Sequence, residues 1–236
     1  QESSEKEIVE MIKKDKELLE FLEEDGVALT DLEDLSCYPI LENHSPKLCC
    51  DRLDGVLHTC YVWIHTHSLE EIKKVFDDIV VLTNEDGHKE LGFQHKEICE
   101  KFVEMVFQYA KELQGNRDKY IMNYISEIIK KCVAKNLITM EDLYKKIECE
   151  IVEIFKMYFI SWQKFQNAEE IRGAENCPKE FYVSLECKKR NVIPLVKNKD
   201  KVVRITEVSK KAKAVYNELE AYKDALYGYV EGIEEV

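Results

Sequence analysis

The chain has 236 residues, and its 45% hydrophobic content is enough to fill the core of one large domain or two small ones. With only 8 Gly and 4 Pro there is little material for turns, which argues against a sandwich or barrel of many short strands and favours long helices. The net charge is −13, and no apolar run approaches the ~20 residues that a membrane span needs.

The first half of the sequence contains clear signals for the start and the end of helices. Ser4 and Glu7 have the spacing of a capping box, and Ser68 and Glu71 repeat it. Gly26 is placed to end the first helix in the left-handed conformation. The helical segments predicted for this half are residues 4–26, 29–35, 49–65 and 68–79.

Apolar residues recur at intervals of three and four through most of the second half, which is the pattern of amphipathic helices. The best β-like run of the whole chain, Ile79 to Leu82, fits the end of a helix as well. The helical segments predicted for the second half are residues 90–115, 120–136, 139–165, 178–189 and 201–229, with 190–200 as a connection.

These patterns predict an all-α fold, a bundle of eight or nine helices that are linked by disulfides, with essentially no β-sheet. We expect a single domain over residues 1–236. Its natural sub-division lies near residue 115, which separates the N-terminal helices (1–115) from the long C-terminal helices (116–236).

The nine cysteines suggest that the protein is extracellular. The chain opens on Gln1 rather than Met and has no CxxC pair, so the expectation is a mature secreted protein with three or four intramolecular disulfides. The alternative is a cytosolic protein whose cysteines are small buried hydrophobic residues. The candidates for disulfides are Cys37, Cys49, Cys50, Cys60, Cys99, Cys132, Cys149, Cys177 and Cys187.

Residues 188–213 form the most basic stretch of the chain. They carry ten basic side chains against two acidic ones, whereas residues 1–34 carry a net charge of −9. The stretch is the candidate surface for a polyanion or an acidic partner, and its alternative is a helix face that docks on the acidic N-terminus. The residues of this candidate surface are Lys188, Lys189, Arg190, Lys197, Lys199, Lys201, Arg204, Lys210, Lys211 and Lys213.

An aromatic series on one predicted helix is a candidate pocket. Tyr158, Trp162 and Phe165 would line a site for a small hydrophobic or amine ligand. The alternative is that these rings belong to the core.

Catalytic and metal chemistry is not expected. The chain contains no GxGxxG, GxxxxGK[ST], HExxH or GxSxG motif, so no catalytic residue and no cofactor-binding residue is predicted. His58 and His65 lie about 10 Å apart along a helix axis, too far to share one metal ion. We therefore predict that the protein is not an enzyme and that it has no cofactor and no metal.

The acidic N-terminus, the helical pattern with dispersed cysteines and the late lysine-rich segment together resemble the secreted salivary proteins of blood-feeding insects, of which the mosquito thirty-four-kilodalton salivary class is the most similar type. The resemblance implies extracellular, non-enzymatic binding to host factors or to other secreted proteins, as a modulator of blood feeding. It covers overall character only and assigns no residue roles.

The leading hypothesis is therefore a secreted binding protein that contacts a host or extracellular protein or a polyanion through its surface. A helical carrier of a small ligand and an intracellular helical scaffold are the alternatives. Nucleic acid is not an expected partner, since most of the surface is acidic.

Overall fold

The computed structural model describes residues 8–33, 37–187 and 189–236. The helices in chain order are α1 (Lys16–Glu24), α2 (Cys50–His58), α3 (Leu69–Asp77), α4 (Lys96–Gln114), α5 (Asn116–Ala134), α6 (Asp142–Lys145), α7 (Glu148–Tyr158), α8 (Ile160–Gln166), α9 (Ile205–Val208) and α10 (Lys210–Ala221). The strands are β1 (Ile79–Thr83), β2 (Lys89–Phe93), β3 (Arg172–Ala174), β4 (Tyr182–Val183), β5 (Leu195–Asn198), β6 (Lys201–Arg204) and β7 (Tyr227–Tyr229). A 3₁₀ turn lies at Leu29–Leu32 and a π-helical turn at Thr59–Trp63.

The predicted all-α fold is wrong, because the protein is mixed α/β. Helices account for about 52% of the residues and strands for about 12%, in two separate sheets. The strands are two to five residues long, so most carry too few positions to show the two-residue period that identifies a strand. Ile79 to Leu82 is a strand and not a helix end, in keeping with its β-branched side chains.

The chain folds into two compact units, each made of two segments. The first unit consists of residues 1–105 and 192–213, and the second of residues 106–191 and 214–236. Each unit contains one of the sheets.

The sheet of the first unit has the strand order β1-β2-β5-β6. β1 and β2 form an antiparallel hairpin whose turn ends at Gly87, in the left-handed conformation at φ 83°. β2 and β5 are parallel, and β5 and β6 form a second hairpin. Phe93 at the end of β2 packs on Phe102 of α4, with ring centroids 5.1 Å apart, and this pair anchors the sheet on the helix.

The second unit is organised around an aromatic core. Tyr120 and Tyr124 of α5 are fully buried and pack with Trp162 and Phe165 of α8. The three-stranded sheet β3-β7-β4 completes this unit, and its central strand β7 contacts α5.

The ends of helices were predicted more reliably from the sequence than their lengths. The capping box of Ser68 and Glu71 is confirmed, and Gly26 follows α1 at φ 69° as predicted. The helix predicted over 4–26 is nevertheless interrupted at residues 13–15, and α1 begins at Lys16. The predicted helix over 139–165 is interrupted twice: at Lys146 and Ile147, between α6 and α7, and at Phe159, whose backbone is extended at φ −130° and ψ 105°. The predicted helix over 90–115 begins only at Lys96, because its first residues belong to β2. The predicted helix over 178–189 contains β4 instead, and the predicted helix over 201–229 contains β6, α9, α10 and β7. The predicted start at Ser4 lies outside the described residues.

The predicted disulfides are wrong. All nine cysteines lie in the described ranges, and none of them forms a disulfide. Cys49, Cys60, Cys99 and Cys132 are fully buried and pack as small apolar side chains. Burial raises the pKa of the Cys60 thiol to about 11. The cysteines therefore give no evidence about the cellular compartment of the protein.

Over the described ranges, none of the helices combines the length and the apolar content that a membrane span requires.

Candidate functional site

The hairpin of β5 and β6 carries the densest group of exposed lysines in the first unit. Lys197, Lys199 and Lys201 are all exposed, and Asn198 pairs with Lys201 across the two-residue turn Lys199–Asp200. We call residues 195–204 the basic hairpin. Lys199 has a left-handed backbone at φ 56°, a conformation that few residues other than glycine adopt readily.

The three lysines of the basic hairpin point in different directions. Lys197 lies opposite Val202, and Asn198 lies opposite Lys201, so Lys197 and Lys201 belong to opposite faces of the sheet. Lys199 occupies the tip between them. Within the described ranges, no carboxylate lies within 4.0 Å of any of the three ammonium groups. The hairpin therefore presents positive charge on both faces and at its end.

Arg204, at the other end of the basic hairpin, serves as its anchor. Its guanidinium donates to both carboxylate oxygens of Glu90, at 2.6 and 2.9 Å, and to both oxygens of Glu85. Glu90 is fully buried and also accepts from the backbone N–H of Leu48 and the amide of Asn84. Burial lowers the pKa of Arg204, but the bonds to the two carboxylates outweigh it, and the pKa is raised. Arg204 thus fixes the hairpin to β2 and offers little charge to a partner.

His95 stands beside the basic hairpin at the carboxyl ends of β2 and β5. Its Nδ1 lies 2.5 Å from Oδ1 of Asp78, and its own backbone N–H and that of Gln94 donate to the other oxygen of that carboxylate. The hydrogen bond and the charge of Asp78 raise the pKa of His95, while the nearby ammonium of Lys197 opposes the rise. This pair joins residues 17 positions apart, and no sequence motif marked it.

The first turn of α10 adds a second group of lysines to the first unit. Lys210, Lys211 and Lys213 lie at the positive end of the helix dipole, where cations are disfavoured. Lys211 pairs with Glu104 of α4 at 2.6 Å, and Ser209 caps the helix through its Oγ. Lys210 and Lys213 are exposed. This turn therefore concentrates positive charge that its own helix does not neutralise.

The remaining residues of the basic stretch belong to the second unit. Lys189 donates to the carboxylate and the backbone oxygen of Glu220 at the end of α10. Arg190 is exposed and contributes favourable charge to Asp118. Lys188 lies outside the described residues. The basic residues that the structure describes are thus divided between the two units, and the first unit carries those of the basic hairpin and of the start of α10.

The three residues of the predicted pocket fall in different environments. Trp162 is buried, 5.0 Å from the ring of Phe155, and Phe165 stacks 4.4 Å from Tyr124. Both belong to the aromatic core. Tyr158 is exposed and lines a surface groove of the second unit.

The described residues contain no cluster of three or more His, Cys, Asp and Glu side chains suited to a metal ion. Comparison with known proteins found no matching protein family, no matching curated protein and no matching solved structure.

Proposed function

We propose that the protein is a non-enzymatic binding protein that holds a sulfated glycosaminoglycan through the basic hairpin. The observation that carries the proposal is the exposure of Lys197, Lys199 and Lys201 on a hairpin that is itself rigidly anchored by Arg204. A rigid scaffold lowers the conformational entropy that binding must overcome.

The placement of the lysines suits a linear polyanion better than a compact partner. The ammonium groups lie on two faces and the tip of the hairpin, so a chain with closely spaced sulfates can follow them around the end of the sheet. An acidic protein would need an apolar patch to form the centre of an interface. On β6 only Val202 has an exposed apolar side chain.

The acidic remainder of the protein favours a local contact over general adsorption. The net charge of −13 repels polyanions at long range, and at physiological salt this repulsion is screened beyond about 8 Å. Binding then depends on the local groups, which are the three lysines of the basic hairpin and the neighbouring His95, opposed by the exposed carboxylate of Asp200 in the turn.

Heparin binding at several salt concentrations tests the proposal. We would compare the native chain with a hairpin variant (Lys197→Gln, Lys199→Gln, Lys201→Gln) and with a control variant (Lys130→Gln, Lys145→Gln, Lys156→Gln). The two variants change the net charge equally, and the control lysines are exposed side chains on helices of the second unit. Both should keep the native circular dichroism spectrum.

The expected result is a loss of binding that is confined to the hairpin variant. The plot of log Kobs against log salt has a negative slope, and its magnitude should be smaller by about 2 to 3 in the hairpin variant, because the variant has three fewer cations with which to displace counterions from heparin. Equal losses in the two variants would show that net charge and not the hairpin controls binding. No retention of the native chain at low salt would overturn the proposal directly.

A further inference from the structure

The second unit has a groove beside the break between α7 and α8. Its volume is about 720 Å³, which is the size of a site for a small organic ligand. The extended backbone of Phe159 creates it, because the break turns Tyr158 and Ile160 outward on either side of the buried Phe159 ring. Ile160 is 84% exposed, so the rim presents an apolar surface to solvent.

Three lysines surround this groove. Lys131 donates to the backbone oxygen of Val236, and Lys164 donates to that of Gly232 at 2.8 Å. The ammonium of Lys135 lies 5.1 Å from the centroid of the Phe159 ring. An ammonium group has three N–H donors, so these contacts leave donors available to a ligand. Among the described residues, Lys135 and Lys164 form no ion pair with a carboxylate, whereas Lys131 is held by the oxygen of Val236.

Two carboxylates also line the groove and limit the charge of its ligand. Glu234 and Glu235 are exposed in the segment that forms one wall. The two carboxylates, together with the oxygen of Val236 that Lys131 contacts, offset much of the positive charge of the three lysines, so Lys135 and Lys164 are the ammonium groups left to attract a single negative charge and to disfavour an amine. The aromatic and aliphatic walls favour an apolar body on the same molecule.

A buried phenol behind the groove supports a polar ligand group at its floor. The oxygen of Tyr124 is fully buried and has no hydrogen-bond partner of normal geometry in the described part of the chain. Ser161 lies beside this phenol and also lines the groove. A ligand oxygen near Ser161 would therefore complete a hydrogen-bond chain that the protein alone leaves open.

We propose that this groove binds one amphipathic monoanion, with its carboxylate among Lys131, Lys135 and Lys164 and its apolar body against Tyr158 and Phe159. The class of ligand is a medium-chain fatty acid or an aryl carboxylate. The site lies in the second unit, so it is independent of the basic hairpin.

Fluorescence and calorimetry on the full chain test the proposal with three probes of equal chain length: dodecanoate, dodecanol and dodecylamine, each below its micelle concentration. Trp162 follows Ser161 of the groove, and replacing the exposed Trp63 by Phe leaves Trp162 as the single indole reporter. We expect dodecanoate to bind with a stoichiometry of one, dodecanol more weakly and dodecylamine not at all.

The matched variants separate the site from general adsorption. Lys135→Gln should weaken dodecanoate binding about 10-fold or more, because it removes a charge-assisted contact. In the described part of the chain the ammonium of Lys135 is held by the Phe159 ring and not by a hydrogen bond, so the variant leaves the bonds to Gly232 and Val236 in place. Lys130→Gln, on an exposed position of the same helix, should have no effect.

Three results would overturn the proposal. They are equal binding of the acid and the amine, a stoichiometry well above one, and an unchanged affinity in Lys135→Gln. A Tyr158→Ser variant adds a test of the apolar wall, since it should weaken dodecanoate without changing the preference for the acid over the amine. An unchanged affinity in that variant would place the apolar body elsewhere and contradict the site.

Discussion

Arg204 and Glu90 form an ion pair 2.6 Å apart, in which the carboxylate is fully removed from solvent and the guanidinium side chain is 14% exposed. The pair joins residues 114 positions apart and ties the basic hairpin to β2. Replacing one partner alone would leave the other charge buried without compensation.

We therefore expect Arg204→Met to destabilise the protein by about 3 to 5 kcal/mol, as is typical when one partner of a buried pair is removed. Urea unfolding followed by circular dichroism measures the change. The double variant Arg204→Met with Glu90→Gln should recover part of the loss, because the Gln side chain has no charge to leave unpaired and still accepts from Leu48. A loss below about 1 kcal/mol in the single variant would mean that water reaches Glu90.

A second prediction concerns the turn of the basic hairpin. Lys199→Gly should stabilise the protein by about 0.5 to 1 kcal/mol, because glycine adopts the left-handed conformation without steric cost. The thermal midpoint should rise accordingly. Lys197→Gly, at an extended position of β5, serves as the control and should lower it. Equal effects of the two substitutions would contradict the inference that the backbone of Lys199 is strained in the turn.

The pair of His95 and Asp78 predicts a dependence of stability on pH. The folded pKa of His95 lies above the ordinary value of 6.5, so its contribution is complete below pH 6.5 and is lost as the pH rises through the folded pKa. The groups that face this histidine are Asp78, Glu97 and Lys197. A His95→Asn variant should show no such loss in urea midpoints measured from pH 5 to about 9. A proton NMR titration of the native chain that gives His95 a pKa below 6.5 would refute the prediction.

Protonation of His95 should also strengthen the proposed binding of a polyanion. Protonated His95 adds one positive charge beside Lys197, so heparin affinity should fall as the pH rises through the pKa of His95. Binding measured in the His95→Asn variant should be flat over this range. An equal pH dependence in the two proteins would assign the effect to another group.

The cysteines offer a chemical test of the core. Cys149, Cys177 and Cys187 are exposed and should react with iodoacetamide in the native protein. Cys49, Cys60, Cys99 and Cys132 should react only after unfolding, since burial excludes the reagent and raises the pKa of Cys60, Cys99 and Cys132. Mass spectrometry after alkylation in denaturant without reductant should find all nine thiols modified. A product that lacks two alkyl groups would indicate a disulfide.

Local signals in the sequence predicted local structure well. The capping box at Ser68 and the helix end at Gly26 each depend on a few neighbouring residues, and the structure contains both. The long apolar pattern of residues 139–165 was misleading, because one or two extended residues break a helix without changing the apolar spacing, as Lys146 and Ile147 do before α7 and Phe159 does after it.

The candidate site could not be predicted in full from the sequence, because it depends on contacts between residues that are far apart in the chain. Lys197, Lys199 and Lys201 were identified as basic residues, but their exposure on a hairpin follows from strand pairing. Arg204 looked equivalent to them in the sequence, since nothing near it indicates that Glu90 and Glu85 neutralise it. Glu90 itself is a charged residue in a short strand, and its burial follows only from the packing of Leu48 and Asn84 around it.

β6 is an outer strand of its sheet, and an outer strand can serve as a template onto which a strand of another molecule adds. Val202 is exposed on that strand, while Lys199 and Lys201 place positive charge at its beginning. Positive charge at the start of this strand disfavours the edge-to-edge addition of a second copy, since the like charges of the two copies would repel each other.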